Sequence, residues 1–102
     1  MIKLRKSIGK EQKMKAVITV TGKDAVGIIA EVSTACSENN ANIIDITQSV
    51  MNEYFAMIML VEIGSLTVKF ADFADKLEAI GKAKGLVISA VHEDIFNTMH
   101  HI

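Results

Sequence analysis

Features that define secreted and membrane proteins are scarce in this sequence. The 102 residues contain one cysteine, Cys36, which cannot form a disulfide within the chain. A lone cysteine fits a reducing compartment, because disulfides persist mainly in oxidising ones. No uncharged apolar run approaches the ~18 residues that span a bilayer, and no apolar stretch of ~7 to 15 residues follows the basic start to form a signal peptide. We therefore expect a cytoplasmic protein with no membrane partner.

Motifs that would indicate catalysis or metal binding are also missing. No serine lies in a G-x-S-x-G elbow, and neither G-x-G-x-x-G nor G-x-x-x-x-G-K-[ST] occurs. His92, His100 and His101 lie near the C-terminal end without an H-x-x-x-H pair on a common face, so we expect no metal site. The sequence therefore predicts a protein that is not an enzyme and needs no cofactor.

Charge is distributed unevenly along the chain. In residues 1–14 five basic residues oppose only Glu11, so this segment carries +4 and the remaining residues carry −5 of the net −1. We expect residues 1–13 to be a disordered basic arm or an extension upstream of a start at Met14; a nucleic-acid-contacting arm is the alternative. The body is acidic, which makes nucleic acid an unlikely main partner.

Hydrophobic periodicity predicts four strands and three helices. Residues 15–21 alternate like a strand. The apolar stripe of a first helix, which ends near Asn39 and Asn40, is formed by Ile28, Ile29, Val32, Ala35 and Cys36. Cys36 on that stripe predicts a buried structural thiol. Strand two is predicted at residues 42–51, with Ile44, Ile46, Gln48 and Val50 on one face, and strand three at 54–63. A second helix follows, with an N-cap at Thr67 and a stop at Gly85. The last elements are strand four at 86–92 and a short terminal helix that carries Ile95, Phe96, Met99 and Ile102.

This order of elements indicates an α+β protein with a ferredoxin-like βαββαβ sandwich and an extra C-terminal helix. Right-handed crossovers place both main helices on one face of the sheet, so the other face is left open. Strand three is apolar on both faces and needs cover on that side. The cover is the terminal helix, a second copy of the chain, or both, and we expect a homodimer.

The loop between strand one and helix one offers backbone groups and almost no reactive side chains. Gly27 allows a ligand to approach the free N–H groups of Ile28 and Ile29, where the helix carries partial positive charge. A carboxylate fits that position, and Asp24 could accept an ammonium group, so together they suit an α-amino acid. The alternative is that Asp24 only caps the turn or the helix, and the loop alone does not decide between the two.

The segment GKDAVGIIAEVSTACSENNANIIDI, residues 22–46, resembles the signature of the ACT domain, a regulatory module of amino-acid-metabolising enzymes. The segment QSVMNEYFAMIMLVE, residues 48–62, resembles the second and third strands of the same module. The resemblance covers residues 14–102 as a single ACT domain. More narrowly, the chain resembles stand-alone ACT proteins related to the N-terminal module of glycine-cleavage-system regulators.

This resemblance implies a dimer whose ligand pocket lies at the subunit interface. The loop of one chain would contact an amino acid, and the Asn-Ile pair at the start of strand two would face it from the partner chain. No residue of the pocket would be catalytic. By position in the motif, the ligand-binding residues would be Asp24, Ala25, Val26, Gly27, Ile28, Asn42 and Ile43.

Two functions remain open at this point. The first is a small regulatory domain that senses an amino acid at a homodimer interface and signals through a protein partner. The second is a structural dimerisation or protein-interaction module that binds no ligand and is linked to transcriptional regulation. Val26, a β-branched residue directly before Gly27, could narrow the pocket. A pocket filled by such side chains would favour the second function.

Overall fold

The described part of the chain contains four strands and three helices, in the order that the periodicity predicts. The computed structural model describes residues 14–23 and 26–99. The expected arm at residues 1–13, the loop residues Asp24 and Ala25, and the terminal residues 100–102 lie outside this part. The elements are β1 (Lys15–Gly22), α1 (Ile28–Glu38), β2 (Asn42–Met51), β3 (Tyr54–Glu62), α2 (Phe70–Lys84), β4 (Val87–His92) and α3 (Glu93–Met99).

The strands form one antiparallel sheet in the order β2-β3-β1-β4. The ferredoxin-like arrangement with an added C-terminal helix is therefore confirmed. β1 and β2 both run antiparallel to β3, so they are parallel to each other. Their last residues, Gly22 and Met51, lie at the same end of the sheet, and β2 begins at the opposite end.

The core lies between one face of the sheet and the helices α1 and α2. Alternate residues of the two central strands point to this face, as strand geometry requires. Apolar stripes of the helices cover them, with Phe73 of α2 fully buried. The main buried residues are Ala16, Ile18 and Val20 of β1, Met57, Met59 and Val61 of β3, Ile28 and Val32 of α1, and Phe73 and Leu77 of α2.

β2 departs from the regular alternation predicted for it. The register pairs Ile43 with Val61 and Asp45 with Leu60, and a bulge lies between them. Ile43 therefore packs against the core, whereas Ile44, which was expected on the apolar face, is 46% exposed. A bulge inserts one extra residue and so reverses the side-chain alternation beyond it, which sequence periodicity does not reveal.

The predicted helix ends are partly right. Asn40 adopts a left-handed conformation with φ 62° after α1, and Gly85 ends α2 with φ 74°, both as expected. The N-cap predicted at Thr67 is wrong, because α2 begins at Phe70 with Lys69 at the cap position. The N–H of Thr67 instead donates a hydrogen bond of 3.1 Å to the carbonyl of Asn39. This contact holds the segment before α2 against the end of α1.

The open face of the sheet is covered only in part. α3 packs against β1 and β4, and Val17 on this face of β1 is buried. Tyr54 and Ile58 of β3 point to the same face and are exposed. The terminal helix therefore leaves these β3 side chains in contact with solvent.

Gly81 allows α2 to approach β4 closely. A Cβ atom at this position would lie 2.8 Å from Cγ1 of Ile88 and 2.9 Å from the carbonyl oxygen of Leu86. Alanine normally stabilises a helix by about 1 kcal/mol relative to glycine. Overpacking costs about 1 to 3 kcal/mol, and we expect the upper part of this range because the Leu86 carbonyl oxygen is backbone and cannot move aside as a side chain can. After the helix gain is subtracted, Gly81→Ala should lower the free energy of unfolding by about 1 to 2 kcal/mol in urea titrations.

The matched control is Gly64→Ala. A Cβ atom at Gly64 would have no atom within 4 Å, and the residue has no positive φ. Its free energy of unfolding should change by less than about 1 kcal/mol. A Gly81→Ala protein more stable than the wild type would contradict the close approach of α2 to β4.

Candidate functional site

The N-terminus of α1 is open to solvent and has no capping side chain among the described residues. Gly27 occupies the N-cap position with φ 77° and ψ −4°, a left-handed conformation that glycine adopts without strain. A Cβ atom there would meet nothing within 4 Å, so the backbone conformation, and not crowding, requires the glycine. The following N–H groups carry the positive end of the helix dipole, which favours an anion at this position.

The base of the same loop is joined to the β2–β3 hairpin. The Nζ atom of Lys23 lies 3.3 Å from a carboxylate oxygen of Glu53 and 5.6 Å from the centre of the Tyr54 ring. Both charged side chains are exposed, so the ion pair contributes little to stability. The ion pair instead directs the side chain of Lys23 toward the hairpin.

A second group of expected residues lies at the start of β2. Asn42 is exposed and Ile43 is half-buried. They line an open cavity of about 390 Å³ together with side chains from the C-terminal half of α1 and its end. Sequence reasoning did not predict a site role for the other polar residues of the wall, which are Ser33, Ser37 and Asn40. The spacing of four residues between Ser33 and Ser37 was the available signal, because it places both on one face of the helix.

The two groups do not meet within one chain. Gly27 and Ile28 lie at the end of the sheet where β1 finishes, whereas Asn42 and Ile43 lie where β2 begins. α1 has 11 residues and separates them by about 16 Å at 1.5 Å per residue. The expected residues Asp24 and Ala25 lie outside the described residues. Among the predicted ligand-binding residues, a single chain places Val26, Gly27 and Ile28 near the start of α1. It places Asn42 and Ile43 beyond the end of that helix.

Cys36 is buried beside the second group. Its side chain is 1% exposed and forms no disulfide, which confirms the predicted buried thiol. Burial raises the pKa of the thiol to about 11, because desolvation disfavours the thiolate. The thiol is therefore neutral at physiological pH and contributes packing to the cavity wall.

Other kinds of site find no support in the described part of the chain. Within residues 14–23 and 26–99, no group of three His, Cys, Asp or Glu side chains could hold a metal ion. His100 and His101, two of the three histidines near the C-terminal end, lie outside these residues. None of the helices in the same part has the length and apolar character that crossing a bilayer requires.

Comparison with known proteins gives consistent matches over most of the chain. Residues 15–90 match the ACT domain family. A UPF0237 protein of Methanocaldococcus jannaschii is 47% identical over 88 residues, which are 86% of this chain and 98% of that protein. The structure of an ACT domain protein from Streptococcus pneumoniae is 40% identical and superposes with a TM-score of 0.70, covering 81% of this chain and 93% of that one.

A structural match extends to a larger protein. The structure described as a candidate glycine cleavage system transcriptional repressor superposes with a TM-score of 0.64 over 78% of this chain and 45% of its own. Its sequence identity is 23%, so the match concerns the fold. The resemblance to the module of glycine-cleavage-system regulators is therefore supported at the level of the fold.

The raised pKa of Cys36 predicts a loss of stability at high pH. The unfolded thiol ionises near its ordinary pKa of 9.0 and the folded thiol near 11, so the unfolded state binds fewer protons than the folded state between these values. The free energy of unfolding should therefore fall between pH 9 and pH 11, by about 2 to 3 kcal/mol from this group. Urea unfolding at several pH values measures it.

Cys36→Ala is the control, because it removes this ionisation and keeps the other titrating groups. The variant is less stable at neutral pH, owing to the lost packing, but its stability should decline less steeply above pH 9. Identical slopes for the two proteins would show that Cys36 ionises normally in the folded state.

Proposed function

The chain belongs to the ACT domain family, whose members are regulatory ligand-binding modules, and we propose that it senses an amino acid at a homodimer interface and signals through a protein partner. The observation that carries this proposal is the separation of the expected site residues at opposite ends of α1. We infer that a second chain brings the two groups together, and the exposed edge strand of the sheet supports this inference.

β2 is suited to pair with a second copy of itself. It is an edge strand of ten residues, and almost all of it is exposed. An edge strand presents unpaired N–H and C=O groups that a further strand can satisfy. Ile46, near the middle of β2, and Val50 are apolar and exposed, as is Ile29 on the adjacent helix. Antiparallel pairing of two β2 strands about a two-fold axis would form one eight-stranded sheet.

This pairing would complete the site. β1 and β2 finish at the same end of the sheet. A partner β2 strand that pairs antiparallel with β2 would begin at that end. Asn42 and Ile43 of the partner subunit would then lie beside Gly27 and Ile28. The symmetry would create two such sites in each dimer, each formed by the loop of one chain and the start of β2 from the other.

The groups assembled in this way suit an α-amino acid. The N–H groups after Gly27, which no side chain of the described residues caps, would bind the carboxylate at the helix N-terminus. Asp24 would accept a hydrogen bond from the ammonium group, and Ala25 and Val26 would shape the loop around it. The amide of Asn42 would contribute further hydrogen bonds from the partner subunit. These contacts bind and orient a ligand without reacting with it, which agrees with a regulatory role.

The dimer is tested by placing charge near the proposed two-fold axis. Ile46→Glu brings two carboxylates close together across paired β2 strands, and like charges disfavour that contact. Sedimentation velocity should find the wild type at twice the 11.1 kDa chain mass and the variant as a monomer. Val87→Glu is the matched control, since it places the same charge at an exposed apolar position of the other edge strand, β4, and should remain dimeric. A dimeric Ile46→Glu protein would contradict the β2 interface.

Ligand binding is tested by thermal melts with each of the twenty amino acids at millimolar concentration. A ligand at ~100 times its Kd adds about 2.7 kcal/mol and raises Tm by several degrees in a domain of this size. The shift should be lost in Asp24→Ala, which lacks the ammonium contact, and in Ile46→Glu, which lacks the partner. Val87→Glu should retain it. A dimeric wild type whose Tm responds to none of the amino acids would favour the structural dimerisation module.

A further inference from the structure

The cavity beside Asn42 and Ile43 has a polar but uncharged wall. It lies between the C-terminal half of α1 and the start of β2 and has a volume of about 390 Å³. Its hydrogen-bonding groups are two hydroxyls, from Ser33 and Ser37, and the amides of Asn40 and Asn42. The remaining wall consists of Cys36, Ala41 and Ile43, so none of the described residues that line it carries a carboxylate, ammonium or guanidinium group.

One of these amides is held in a fixed orientation. The side-chain nitrogen of Asn40 donates a hydrogen bond of 2.9 Å to the carbonyl of Ser65. The left-handed backbone conformation of Asn40 restricts the position of the side chain further. The carbonyl oxygen of this amide and the hydroxyls of Ser33 and Ser37 have no side-chain hydrogen-bond partner within the described residues. Acceptors and donors are therefore available to a ligand on one side of the cavity.

This wall discriminates between chemical classes of ligand group. Once the partner subunit of the proposed dimer covers this open cavity, a charged group would lose hydration without gaining an opposite charge, which is costly. The Cys36 thiol does not supply that charge, because it is neutral at physiological pH. A large apolar group would displace water from the hydroxyls and amides and leave them unpaired. A neutral group with its own donor and acceptor avoids both losses.

We propose that this cavity receives the side chain of the bound amino acid and selects a neutral hydrogen-bonding side chain, as in serine, threonine, asparagine or glutamine. The inference rests on the proposed function, because the helix N-terminus of the partner subunit would hold the carboxylate at the mouth of the cavity. Ser33, Ser37 and Asn40 are then the residues that determine specificity.

The test is an affinity comparison across three classes of amino acid on the full chain. Isothermal titration measures Kd for serine, threonine, asparagine and glutamine, for valine, leucine and phenylalanine, and for aspartate, glutamate and lysine. We expect measurable binding in the first class and at least tenfold weaker binding in the other two. Ser37→Ala should weaken binding of the preferred amino acid about 3- to 10-fold, as expected for one lost hydrogen bond.

Thr34→Ala is the matched control for Ser37→Ala. Thr34 is an exposed hydroxyl residue of the same helix, but it lines the groove between α1 and α2 beside Ile80, away from the cavity. Both substitutions favour the helix, so both variants should fold. Thr34→Ala should bind the preferred amino acid with the wild-type Kd.

The possible results separate the two proposals. Tightest binding of an apolar or a charged amino acid overturns the inference about the cavity and leaves the amino-acid sensor in place. An unchanged Kd in Ser37→Ala also overturns it. Failure of all the amino acids to bind overturns the sensor itself, and the specificity of the cavity with it.

Discussion

α1 connects two strands that run in the same direction, β1 and β2, so the chain must cross the full length of the sheet between them. This crossover buries the apolar stripe of the helix on the sheet and leaves its two ends at opposite edges of the molecule. The N-terminus of α1 lies at one of these edges and the polar cavity at the other. The expected ligand-binding residues therefore lie in two groups at opposite ends of α1, and the proposed dimer would bring one group of each chain beside the other group of its partner.

The end of α1 is held by a buried polar contact. Asn39 is 4% exposed, and its side-chain nitrogen donates a hydrogen bond of 2.8 Å to the carbonyl of Ala35. Its side-chain oxygen accepts a hydrogen bond of 3.2 Å from Nζ of Lys76 on α2. Buried polar groups are tolerated when they are satisfied in this way. The contact also sets the position of the following residues, Asn40 to Asn42, and so links the packing of the two helices to the shape of the cavity.

A site shared between two subunits connects ligand concentration to assembly. A ligand that binds only the dimer stabilises it by mass action, so the dimer population rises with the ligand. The sheet face that retains exposed Tyr54 and Ile58 is separate from the β2 edge, so a dimer would still present it to solvent. Under the proposed function, the domain would report an amino acid through its own oligomeric state.

From the sequence alone, the order of the elements, the apolar stripes that face the core and the family could be predicted. Local periodicity reports which side of a helix or strand is apolar, so the stripe at Ile28 and Val32 and the stop at Gly85 were predictable. Other features of the fold and of the candidate site depend on tertiary contacts. The bulge that exposes Ile44 depends on pairing with β3, and Thr67 lies before α2 with its N–H bonded to the carbonyl of Asn39. Ser33, Ser37 and Asn40 form a polar wall only because α1 packs beside the start of β2. Contacts between residues distant in the chain do not leave a local pattern, and these contacts shape the candidate site.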